Sequence, residues 1–89
     1  MAYDIIGVGT WSCQAWVEAR KSNQSDVTEQ WALGFLSGAA FATKDKSAPL
    51  RGQPPEVLAG WLDRYCRLHP NEVISRATET FVTIQETGR

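Results

Sequence analysis

PEVLAGWLDRYCRL, residues 55–68 of the 89-residue chain, is the stretch that decides the fold. Val57, Leu58, Trp61, Leu62, Tyr65, Cys66 and Leu68 recur at steps of three and four, the period of one face of an α-helix, and not at the step of two that a strand needs. Pro55 suits a first helical position, where its missing N–H has no partner to lose. Pro70 stops the run shortly after Leu68. The pattern predicts a helix over 55–68 that carries a cysteine on its apolar stripe.

Upstream, residues 44–54 combine Lys, Asp, Ser, Pro, Arg, Gly and Gln, the composition of a solvated loop. Before it, Ser25 is placed to cap a helix over 26–43, with Asp26 and Glu29 at the positive end of the helix dipole. Val27, Trp31, Leu33 or Phe35, Leu36, Ala39 and Ala40 carry the apolar side of that helix to Phe41, so it is expected to lie at the centre. Its Gly34 and Gly38 each cost about 1 kcal/mol relative to Ala, which predicts a neighbouring backbone in close approach. The first helix is expected over 12–22, after Gly7 and Gly9, with Thr10 or Ser12 as N-cap and Cys13, Trp16, Val17 and Arg20 along one side. The last is expected over 70–87, with Asn71 and Glu72 in its first turn, Val73, Ile74, Ala77, Phe81 and Ile84 turned inward, and Gly88 as C-cap. Residues 1–9 form an extended arm. The fold class that follows is all-α: one domain over 1–89, four helices with short connections.

Composition narrows the function classes. Apolar residues make up 43% of the chain, enough for a packed core and too many for a disordered segment. A net charge of -1, with cations scattered singly, lacks the clustered basic face that a phosphate backbone requires, so no nucleic-acid partner is expected. The longest mostly apolar run, residues 31–43, is broken by Gly34, Ser37 and Gly38 and falls short of the roughly 20 residues of a bilayer span. The opening MAYDIIGVG is not a signal peptide. Two cysteines in so small a domain read better as one staple than as two stray thiols, which favours a mature periplasmic or secreted form over a cytosolic one.

Cys13 and Cys66 both fall on apolar helix faces. A bridge between them would close the loop from residue 13 to residue 66 and stabilise the fold by roughly 4 kcal/mol in the chain-entropy account. The alternative is a pair of buried free thiols.

Groups able to do chemistry are sparse. His69, the only histidine, precedes Pro70 and suits an N-cap or surface role. With Cys13 and Cys66 it lacks the paired spacing of a zinc site, and no metal or other cofactor is expected. Gly7 and Gly9 lack the third glycine and the strand of a dinucleotide fold. Asp63 with Arg64, and Glu72 with Arg76 at an i,i+4 spacing, read as solvated helix charges. No catalytic residue is assigned, and the chain is not expected to be an enzyme. Trp16, Trp31 and Trp61 sit on apolar stripes and read as core, whereas Trp11, beside two glycines, stands between exposure and burial. Spare apolar surface on a domain this small points to a homodimer. Trp11, with Lys44, Lys46 and Arg51 in the loop, are the candidate partner-binding residues.

Trp11-Ser12-Cys13 followed by a short helix resembles the opening of the HdeA-like periplasmic acid-stress chaperones. The segments QWALGFLSG at 30–38 and WLDRYCRLHP at 61–70 resemble the Tai/Rap class of type VI secretion immunity proteins. Both resemblances imply a small helical periplasmic domain, and the one to the HdeA-like proteins implies one disulfide between an early and a late helix. It implies either neutralisation of a toxin by covering it or an acid-triggered holdase for unfolded clients. One departure from the immunity class is that Trp31 and Ala32 stand where a cysteine is usual.

Overall fold

A computed structural model of the chain describes residues 4–42, 50 and 53–87, with side chains to residue 85. It is all-α. A single 3₁₀ turn at Val8–Thr10 precedes α1 (Cys13–Lys21), α2 (Asp26–Ala42), α3 (Glu56–Leu68) and α4 (Ile74–Thr87). Residues 4–6 carry no regular secondary structure, and the stretch expected as an extended arm closes into the 3₁₀ turn at Val8.

Ser12 caps α1 by accepting a hydrogen bond from the Ala15 N–H at 3.2 Å. The other end of α1 closes on Asn23, whose φ of 61° is left-handed. Gln24 N–H donates to Ala19 O at 2.8 Å and Asn23 N–H to Arg20 O at 3.2 Å, the pair of bonds that satisfies the last carbonyls of a helix. Ser25 then precedes α2, its hydroxyl donating to Glu29 Oε2 at 2.6 Å.

The last helix starts at Ile74, four residues later than its proline suggested. Residues 70–73 serve α1 instead. Cys13 N–H donates to Glu72 O at 2.7 Å and Gln14 N–H to Pro70 O at 3.1 Å, while Ile74 N–H donates to Trp11 O at 2.8 Å. Helix starts leave backbone donors without intrahelical partners. Here the α3–α4 turn supplies acceptors to α1 through a short antiparallel bridge between Ser12 and Val73. A helical 70–73 would have withdrawn those carbonyls.

The centre of the bundle is α4, not α2. α4 packs on α1, α2, α3 and the 3₁₀ turn, whereas α2 packs chiefly on α4 and the turn. α2 buries only the stripe Thr28, Ala32 and Leu36; Val27 and Phe41, at its two ends, are 63% and 81% exposed. α4 buries Ile74, Ser75, Ala77, Thr78, Phe81 and Val82, while Val73 and Ile84 are turned out. Thr78 is fully buried because its hydroxyl donates to Ile74 O at 2.9 Å within the same helix, so a polar residue reaches the core without an unpaired group.

The core joins Trp16 of α1, Ala32 and Leu36 of α2, Leu58 and Leu62 of α3, and Phe81 of α4. Cys13 and Cys66 are both fully buried and form a disulfide, with their Cα atoms 4.8 Å apart. Of the three tryptophans expected in the core, only Trp16 is fully buried; Trp31 and Trp61 are half-buried and pack against its edge. Leu68, expected on the inner stripe of α3, lies just beyond it and is exposed.

Close backbone approach occurs at Gly9 and not in α2, where a Cβ on Gly34 or Gly38 would meet nothing within 4 Å. A Cβ on Gly9 would fall inside the Trp31 indole, with Cη2 at 2.5 Å and Cε2 at 2.7 Å. Trp31 Nε1 donates to Ile6 O at 2.7 Å, so the indole both carries and ties down the amino-terminal segment. Gly7, with φ of 92°, turns the chain over the same ring. Gly9→Ala is expected to lower stability by about 1 to 3 kcal/mol by overpacking, whereas Gly34→Ala leaves it equal or raised. Urea midpoints of the two variants check this, and equal effects would remove the clamp.

Candidate protein-interaction site

The turn that caps α1 also lines a broad recess in the described surface. Ile5, Leu68, His69, Pro70, Val73 and Arg76 border an open groove of about 870 Å³, together with Glu72 and Glu79. Its floor is stiff, because the backbone of residues 70–73 is bonded to α1 and the chain on either side is helical. Leu68 on its border is 77% exposed, and Trp11, outside the groove but joined to the turn through its carbonyl, is 51% exposed.

His69 is the C-cap of α3 rather than the N-cap of α4, with its N–H donating to Tyr65 O at 2.9 Å. Its ring lies 4.4 Å from that of Tyr65, and Tyr65 stacks in turn on Trp61 at 4.9 Å. Rings at i, i+4 and i+8 thus form a column along α3 that Phe81 closes edge-on at 5.4 Å. Arg76 pairs with Glu79 at 3.6 Å and not with Glu72, which stands outside the helix.

A second polar feature ties α1 to α3. Asp63, read from sequence as a solvated charge, accepts a hydrogen bond from Trp16 Nε1 at 2.9 Å and a two-pronged one from Arg20, with Nε to Oδ1 and Nη2 to Oδ2 both at 2.9 Å. Arg20 Nη1 reaches Glu29 at 3.2 Å, and the guanidinium carbon sits 5.4 Å from the centre of the Trp16 ring. Side-chain hydrogen bonding to Asp63 is the chief cause that raises the Arg20 pKa above its already high ordinary value, with partial burial opposing it. No local signal marks Asp63, because its partners stand 43 and 47 residues away in the chain.

A group whose pKa is raised on folding contributes stability that is complete below its unfolded value and lost only as pH rises through the folded one. Arg20 therefore stays charged across the neutral range. Asp63→Asn is expected to cost about 1 kcal/mol, because both partners are partly exposed to screening solvent, and the gap from the wild type should be flat from about pH 7 to 10. Denaturant titrations at several pH values measure it; a gap that closes within that range would show that Arg20 is not the partner that matters.

Of the residues expected to bind a partner, Trp11 borders the anchored turn, and Lys44, Lys46 and Arg51 lie outside the described residues. Leu50, from the same loop, is half-buried against the core. Among the described residues no three His, Cys, Asp or Glu side chains come together as a metal set, and no helix is long and apolar enough to cross a membrane. Comparison with protein-family models, curated proteins and solved structures finds no match to this chain.

Proposed function

We propose that this chain is a non-catalytic protein-binding domain of an oxidising compartment, periplasmic or secreted, that acts as an immunity-type protein by covering part of a toxin. The observation that supports this reading is the anchored α3–α4 turn. It holds Leu68 in water at the border of a groove shared with Val73, on a turn whose backbone is bonded to the start of α1. Rigid exposed apolar groups lose little conformational freedom on association, so their burial converts efficiently into affinity. The buried disulfide suits a compartment where thiols oxidise.

The test is co-expression with toxin genes that neighbour this one. Protection by the wild type, lost in Leu68→Glu with the helical circular dichroism unchanged, supports the reading. No protection and no captured envelope partner would end it.

A second reading, an HdeA-like acid-stress chaperone, draws on a different observation: Ile6, Val27, Phe41 and Leu68 are large, apolar and exposed. Below about pH 3 the acidic side chains are neutral. Lysine and arginine side chains keep their charge there, so cation repulsion would loosen the fold. Light scattering of an aggregating client at about pH 2 to 3 tests this, and unchanged aggregation rejects it.

A further inference from the structure

Nine cations and ten acids are interspersed along the sequence, yet the fold gathers three cations at one place. Arg20 and Lys21 from the end of α1, and Arg67 from α3, line an open notch of about 450 Å³ with Val17, Asn23 and Asp63. Asp63 is its single acid, and Arg20 already neutralises it. Glu29, the second partner of Arg20, does not line the notch. Lys21 and Arg67 carry no ion pair among the described residues. The notch is therefore cationic on a chain whose net charge is -1.

Its back wall is rigid. Three of the five N–H donors of Arg20 are engaged by Asp63 and Glu29, and its guanidinium faces the buried Trp16 ring. Two donors are left over in a plane that cannot turn without breaking the pair. Lys21 and Arg67, both exposed, supply mobile charge at the rim. The disulfide holds α1 and α3 together, so the cations of the two helices keep their spacing.

We propose that this notch seats an acidic segment of the protein partner, with its carboxylates between Lys21 and Arg67 and Arg20 behind them; the inference rests on the protein-binding reading above. Charge complementarity selects the occupant, since a cationic recess repels basic segments and draws acidic ones in. Acidic contact here and apolar contact at Leu68 would be separate elements of recognition.

The experiment has two arms. In the first, the intact oxidised protein is titrated with an end-blocked hexaglutamate peptide and followed by ¹H–¹⁵N NMR. The expected result is movement of the amides of Val17, Lys21, Asn23 and Arg67 and of the Trp16 indole N–H. In the double variant Lys21→Glu/Arg67→Glu, binding should weaken about tenfold or more with unchanged circular dichroism. Shifts scattered over the surface, shifts that survive in the variant, or the same shifts from inorganic phosphate at equal ionic strength would overturn the notch. In the second arm, wild type and double variant are compared for capture of the envelope partner. Weaker capture by the variant supports the proposal. Equal capture overturns the notch and leaves the protein-binding reading standing. Absence of any capture removes that reading, and with it an acidic segment as the natural occupant, whatever the peptide shows.

Discussion

Replacing Cys13 and Cys66 together by Ala is expected to lower the unfolding free energy by about 4 kcal/mol. The bridge closes a loop with a sequence separation of 53, and opening it returns that chain entropy to the unfolded state. For a domain of this size the corresponding fall in Tm is about 20 °C. Both sulfurs are buried at the α1–α3 contact, so the alanines also leave unfilled volume beside Trp16. Helix content should survive at low temperature, since the core and the Asp63 link still join α1 to α3. The measurement is thermal unfolding of the double variant beside the oxidised and reduced wild type. Coincident melting curves for all three would mean that the tie contributes nothing.

Trp16→Ala is the second large effect, expected to cost about 3 to 5 kcal/mol. The indole is 1% exposed and stands among Ala32, Leu33, Leu58 and Leu62, so its removal opens a void where three helices meet. It also takes away the hydrogen bond to Asp63 and the ring beneath Arg20. Small domains have a total stability of only about 5 to 15 kcal/mol, so this variant should be partly unfolded at 37 °C. Trp11→Ala, five residues earlier, should change stability by no more than about 0.5 kcal/mol, because that ring is half in water. Trp16→Phe falls between them, losing the hydrogen bond but retaining most of the apolar contact. Denaturant midpoints give the order, and a Trp16→Ala midpoint close to that of Trp11→Ala would refute the packing argument.

A rise in pH and added salt probe different parts of the molecule. The Arg20 pairs with Asp63 and Glu29 outlast a rise in pH across the neutral range, because hydrogen bonding to Asp63 raises the Arg20 pKa further. Attraction of an acidic segment to Lys21 and Arg67 is screened over about 10 Å at 0.1 M salt, whereas apolar contact at Leu68 is not. Salt dependence of partner binding therefore separates the notch from the groove.

Four helices, their order and the pairing of Cys13 with Cys66 were legible because they rest on local information. Apolar residues at three- and four-residue steps declare a helix whatever surrounds it, and a cysteine on such a stripe is carried inward with it. Trp16 was recoverable as core for the same reason. The start of α4 was not, since Pro70 permits a helix there and only the open N-terminus of α1 claims residues 70–73 for another purpose. Nor was the rank of the helices: α2 has the more apolar sequence, but α4 is central because Ser75 and Thr78 enter the core, where Thr78 bonds its own backbone and loses nothing by burial. The glycines show the same division, with Gly34 and Gly38 open to space and Gly9 pressed on an indole from a different helix.

The candidate sites lie almost wholly on the tertiary side of that line. Lys44, Lys46 and Arg51 drew attention as charges in a polar loop, and Trp11 as an aromatic beside glycines. Arg20, Lys21, Asp63 and Arg67 drew none as a group, since each alone is an ordinary helix charge. Sequence by itself determined which faces are apolar, because side-chain period is a property of the backbone. Tertiary structure alone decided which polar groups meet, because Coulomb attraction and hydrogen bonding act through space between residues more than forty positions apart.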